Sequence, residues 1–126
     1  MKRRFRVTRN EDFQEIIKKG GSFAGKNFVV YYYRPMAVTN DRAGISVSKK
    51  IGNAVVRNKV KRQVRMMITE ITDFKRGFDS VVIVRKNYLS NDYRTNKKEL
   101  NKLYEKVYNN LDALIGGCKN EKNLKQ

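Results

Sequence analysis

The sequence predicts an α/β (α+β) sandwich on a small central sheet, in the order helix-strand-strand-helix-strand-helix. Three observations carry that prediction. Apolar residues recur at spacings of three and four in separate segments, the period of a helix that buries one face. Between these segments lie runs with the alternation or two-sided apolarity of strands, among them the unbroken Val81-Val82-Ile83-Val84. The length of 126 residues, 40% of them hydrophobic, suits one packed core and is too short for two enzyme-sized domains.

Residues 1–9 carry five basic side chains and run into Thr8-Arg9-Asn10-Glu11, the form of a capping box with Thr8 as cap and Glu11 reaching back. Phe13, Ile16 and Ile17 then mark a short helix that Gly20-Gly21 ends near Lys19. In residues 27–34 both alternations are apolar, Phe28, Val30 and Tyr32 on one side and Val29, Tyr31 and Tyr33 on the other. Residues 35–41 read as a turn. A second strand over 42–49 places Ala43, Ile45 and Val47 inward and Arg42, Gly44, Ser46 and Ser48 outward. These two strands are expected to pair as an antiparallel hairpin. The outward row of the second is nearly bare of bulk, which leaves room above it for a ligand or a helix.

Past Lys49-Lys50-Ile51-Gly52 the period changes, and Val56, Val60, Val64, Met67 and Ile71 define a helix with Asn53 as cap and Gly77 as stop. Residues 78–85 form a central strand. Ser90 or Thr95 opens a last helix whose stripe is Leu100, Leu103, Tyr104, Val107, Leu111, Leu114 and Ile115, ended by Gly116-Gly117. Helices one and three are expected to cover one sheet face. Residues 1–117 thus make a single domain, and 118–126 a polar, frayed tail.

Charge bounds the function. Twenty-nine Lys and Arg against 12 Asp and Glu give a net charge of +17, which opposes folding by self-repulsion and calls for a polyanionic partner. Histidine is absent, which removes imidazole catalysis and His-ligated metals. The lone Cys118 excludes an internal disulfide and a thiolate cluster. Scattered acids give no sign of a protein-held magnesium site. No apolar run approaches a membrane span, and no apolar segment of signal-peptide type follows the basic residues 2–6, so a cytoplasmic location is expected.

Between Arg42 and Thr69 there is no acid, whereas seven cations fall between Lys49 and Arg65. On a helical projection Arg57, Lys61, Arg65, Asn58 and Arg62 occupy one arc of about 140°, displaced by more than about 100° from the valine stripe. A solvated helix mixes acids with bases at i,i+4, but here like charges repel along 57, 61 and 65. An anionic backbone accounts for that arrangement, and Asn58 adds a neutral donor and acceptor for sugars or base edges. Flanking strands rich in glycine, serine and tyrosine fit shaped or single-stranded RNA better than the helical motifs that read DNA. Tyr31, Tyr33 and Phe13 are candidate stacking platforms, although such aromatics serve a core equally well.

The segment Lys49-Lys50-Ile51-Gly52-Asn53-Ala54-Val55-Val56-Arg57-Asn58-Lys59-Val60-Lys61-Arg62-Gln63-Val64-Arg65, preceded by Gly44-Ile45-Ser46-Val47-Ser48, resembles the signature of the bacterial ribonuclease P protein subunit. The other elements follow in family order over nearly the whole chain. The resemblance implies an accessory subunit of a ribonucleoprotein endoribonuclease, whose RNA uses magnesium to remove the 5′ leader of precursor tRNA. It implies catalytic-RNA contacts at Lys49, Lys50, Asn53, Arg57, Asn58, Lys59, Lys61, Arg62 and Arg65, and a leader-binding cleft at Phe13, Ile17 and Tyr31. Position 17 departs from the aromatic common in that family, leaving apolar contact in place of stacking. Lys59 stands for a frequent arginine, keeping charge without the planar fork. The resemblance also implies a left-handed crossover through the signature helix, against the general right-handed rule. A ribosomal or other structural RNA-binding protein is the alternative that charge and size alone leave open.

Overall fold

The computed structural model describes residues 3–34 and 41–115. Helix α1 (Asn10–Lys19) is followed by strands β1 (Gly21–Ala24), β2 (Phe28–Tyr33) and β3 (Arg42–Ser46), helix α2 (Ala54–Ile71), strand β4 (Asp79–Val84) and helix α3 (Tyr93–Ile115). Short 3-10 turns occupy Arg3–Phe5 and Lys86–Ser90. The chain end after residue 115 and most of the expected 35–41 turn lie outside the described residues.

The sheet order is β1-β2-β4-β3, with β3 parallel to β4 and the other pairs antiparallel. The expected hairpin between β2 and β3 is therefore not formed, because β4 lies between them. Val81, Val82 and Val84 are buried across both faces, so β4 takes the centre. The glycine- and serine-bearing β3 goes to the edge, partly covered by a bridge from Arg6 to Ala43. The true hairpin partner of β2 is β1, which the sequence reading passed over as the end of a helix; four residues of Gly, Ser, Phe and Ala carry little strand signal.

Three layers result. On one face, Phe28, Val30, Tyr32, Val82 and Val84 pack with Val60, Val64, Met67 and Ile68 of α2 and with Leu100, Leu103, Tyr104, Val107 and Leu111 of α3. On the other, Ile16 of α1 is buried with Val7 and Val81. This corrects the expectation that helices one and three share a face. The parallel β3–β4 pair needs a crossover, and α2 supplies it on the side of the buried Phe28-Val30-Tyr32 row, where α3 joins it. Among the described residues the ten-residue α1 is the one helix on its face, joined there by Val7.

Several boundaries also differ. Arg9, not Thr8, occupies the cap position of α1 and makes no side-chain cap bond, because the Val7 N–H is committed to the Ala43 carbonyl at 3.0 Å and keeps the chain extended. Strand β3 stops at Ser46, three residues short of Lys49. Helix α2 ends at Ile71, well before Gly77; Thr72 turns the chain and donates its hydroxyl to Asp41 at 3.2 Å. Gly77 serves the next loop instead, at φ 77° with its N–H donated to Asp41 at 2.6 Å. Asp92, rather than Ser90 or Thr95, accepts the Thr95 N–H at 2.8 Å and opens α3; that bond holds its carboxyl below the usual range.

Two polar clusters fix the layers to each other. The buried Asn27 donates to Asn96 at 2.8 Å, accepts from Asn87 at 2.7 Å and gives its backbone N–H to Glu99, fastening the β1–β2 turn to α3. Arg42 grips Asp79 through two bonds of 3.0 and 2.7 Å and reaches Asp12 of α1 at 3.5 Å.

Asp79→Ala is expected to cost about 2–4 kcal/mol in urea unfolding, below the cost for a fully buried pair because Arg42 keeps some contact with water. Val64→Ala, at a fully buried position, is expected to cost about 1–3 kcal/mol in the same measurement, with the helical circular dichroism preserved.

Candidate nucleic-acid interface

Helix α2 starts from a side-chain cap. Asn53 Oδ1 accepts the Val56 N–H at 3.0 Å, and the residue stands exposed. Before it, the turn carrying Lys49 and Lys50 is closed by the Ile51 N–H on the Ser48 carbonyl at 3.1 Å and anchored by the buried Ile51 side chain. Both lysines are exposed. Along the helix, Arg57, Lys61 and Arg65 repeat every four residues and are half-buried, while Asn58 and Arg62 stand exposed in the same arc. Arg57 Nε donates to the Gly52 carbonyl at 3.2 Å, so its guanidinium is held against the loop that leads into the helix. Lys59 is exposed outside the arc.

The half-burial of that flank has a cause the sequence reading missed. Ile68 is fully buried and falls on the projection close to Lys61, widening the core-facing side toward the carboxyl end. Its spacing of four from Val64 was the available signal.

Among the described residues, none of Lys49, Lys50, Arg57, Lys59, Lys61, Arg62 and Arg65 is ion-paired with an acid. The nearest acids along the chain are already engaged. Asp41 accepts from Gly77, Phe78 and Thr72, and burial pushes its carboxyl above the ordinary value against the pull of those bonds. Glu70 pairs with Lys97 at 2.7 Å, which lowers its carboxyl. No acid among the described residues neutralises the cations of α2.

A second surface lies under α1. Phe13, Ile17 and Tyr31, expected together, are brought together: all are half-buried against the Val7, Ile16 and Val81 cluster. Register explains the floor. Ser22, Tyr31, Val81 and Gly44 form one cross-strand row, and Ala24, Val29, Ile83 and Ser46 the next. A methyl group built on Gly44 would meet Phe13 at 2.6 Å, so the space expected above β3 is filled there by the Phe13 ring. The second row keeps Val29, Ile83 and Ser46 half-buried, extending the surface by residues that the family signature did not place in the cleft; the alternation in β2 and β4 already pointed to them. Ser46 is three residues from Lys49, so this floor runs into the basic turn at the carboxyl end of β3.

Chemically, the pair of surfaces offers cations, amides and half-buried aromatic and aliphatic groups. Among the described residues no three His, Cys, Asp or Glu side chains gather to hold a metal ion, and no helix is long and apolar enough to cross a membrane.

Residues 1–108 match the family model described as Ribonuclease P. The ribonuclease P protein component of Bacillus cereus (strain B4264) is 48% identical over 101 residues, spanning 79% of this chain and 88% of that protein. The solved ribonuclease P protein of Staphylococcus aureus superposes with a TM-score of 0.75 at 38% identity, over 80% of this chain and 93% of that one. A Staphylococcus aureus mutant with defective mRNA degradation activity gives 0.78 at 36% identity, over 83% and 89%. The Thermotoga maritima protein gives 0.64 at 36%, over 78% and 94%. These matches select one of the readings that charge and size left open: the chain belongs to the ribonuclease P protein family, as the protein component of a ribonucleoprotein that acts with its RNA on the 5′ leader of precursor tRNA.

Proposed function

We propose that the two surfaces divide the RNA between them. Lys49, Lys50, Asn53, Arg57, Asn58, Lys59, Lys61, Arg62 and Arg65 contact the catalytic RNA, and Phe13, Ile17 and Tyr31 take the single-stranded leader of precursor tRNA. The observation that carries this reading is the row of cations on α2 and its preceding turn, free of acids among the described residues although the chain holds 12. Folding gains little from such a row, since like charges at i,i+4 repel. A polyanion turns that cost into affinity.

The chain's own contribution is positioning and screening. Tyr31 and Phe13 supply ring faces and Ile17 an aliphatic one, a sequence-tolerant surface suited to leaders of differing sequence. The α2 cations lower the repulsion between catalytic RNA and precursor, which concentrates the scissile region at the RNA's reacting groups. Magnesium supports phosphodiester hydrolysis by activating water and stabilising the leaving oxygen, and we assign it to the RNA because the described side chains form no oxygen cage for a hard cation. The same reading makes residues 1–117 one RNA-binding domain with a tail at 118–126, gives the β3–α2–β4 crossover the left-handed sense implied by the family signature, and puts the protein in the cytoplasm with its RNA.

Cleavage of precursor tRNA by the catalytic RNA, measured with and without the chain over a magnesium series, is expected to show the largest stimulation at the lowest magnesium, where RNA folding and docking are least screened. Equal stimulation at all concentrations would count against the screening role. Arg57→Ala, Arg62→Ala and Arg65→Ala are each expected to weaken catalytic-RNA binding by about 1–3 kcal/mol while leaving the circular dichroism spectrum unchanged. Unaltered affinity in all three would remove α2 from the interface.

A further inference from the structure

Three large hydrophobic side chains stand exposed among the described residues, and two of them are on α2: Val55 at 77% and Met66 at 56%. Neither belongs to the core cluster or packs against it. Val55 lies in the first turn, where a β-branched residue lowers helix propensity and an acid or serine is favoured. On the helical projection Val55, Lys59, Arg62 and Met66, spaced four, three and four, fall within about 60° of each other and span about 16 Å of axis. All four are exposed. They form a strip, apolar at both ends and basic between, that adjoins the Arg57–Lys61–Arg65 flank and points away from the Val60–Val64–Met67 core side.

We infer that this strip is a second line of contact with the catalytic RNA, in which Val55 and Met66 pack on ribose and base faces while Lys59 and Arg62 meet the phosphates between them. The inference rests on the reading of α2 as the RNA-facing helix and adds an apolar component to it. Charge selects the occupant. Neither Lys59 nor Arg62 pairs with an acid among the described residues, and a second copy of a chain of charge +17 is repelled. Folded RNA instead offers anionic phosphates interleaved with ribose faces across a wide, shallow minor groove, which matches the alternation of the strip.

The test uses the full chain and folded ribonuclease P RNA of Bacillus cereus, with binding measured over a salt series. The double variant Val55→Ser/Met66→Gln keeps residues compatible with a helix start and a helix interior. It is expected to raise Kd about tenfold at every salt concentration, with the slope of log K against log salt unchanged. Arg62→Ala, by contrast, is expected to flatten that slope by about 0.7–0.9. A double variant that binds like the parent, while Arg57→Ala and Arg62→Ala still weaken binding, overturns the apolar contact alone. Should the arginine variants also bind like the parent, the RNA-facing reading of α2 falls with it. A double variant with parental RNA affinity that loses self-association seen for the parent in sedimentation would assign the strip to a protein interface and overturn the inference. Circular dichroism melts of each variant verify that the comparison is between folded chains.

Discussion

Val81, Val82 and Val84 are buried on alternating faces of a single six-residue strand, so β4 must have a strand on each edge and helices on each side. The remaining architecture answers that demand. An antiparallel neighbour is available in β2, already half of a hairpin with β1. The other edge is taken by β3 in parallel, and a parallel neighbour can be reached only through a crossover long enough to return along the sheet. Helix α2 is that crossover. The element with the most concentrated positive charge is therefore also the one the sheet topology cannot omit, which ties the cationic surface to the core.

The acids and bases divide by task. Asp41 organises the loop before β4, Asp79 and Asp12 hold Arg42 between sheet and α1, Glu99 receives the turn at Asn27, and Glu70 joins α2 to Lys97 of α3. These carboxylates are spent inside the structure on loops and layer contacts. The α2 cations, by contrast, find no acid among the described residues, and the imbalance of the composition thereby becomes an imbalance of one surface.

Much of this was legible in residues with a strong period. The valine stripe of α2, the Asn53 cap and the two-sided β4 all follow from spacing that only one local geometry satisfies, whereas the grouping of Phe13, Ile17 and Tyr31, on two different elements, came from the family signature. What could not be read was set by contacts between distant segments. Strand β1 is too short and too small in its side chains to announce itself, and it exists because Tyr32 and Tyr31 pair with Gly21 and Ser22. Thr8 has the sequence of a cap, but Val7 is bound to Ala43 across the fold. Strand order likewise depends on which strand needs two neighbours, a comparison among strands and not a property of any one. Ile68 lay in plain view at a helical spacing, yet its neighbours Arg65 and Thr69 disguised the widening of the buried side.

At Gly44 the Phe13 ring rests directly on backbone, with no space for even one further carbon. The height at which α1 rides above the sheet is thus gauged by an atom that is not there. A bulkier residue would jack the helix upward, prise Asp12 away from Arg42 and change the depth of the surface between Ile17 and Tyr31. The calibre of the groove is written into the chain as an omission.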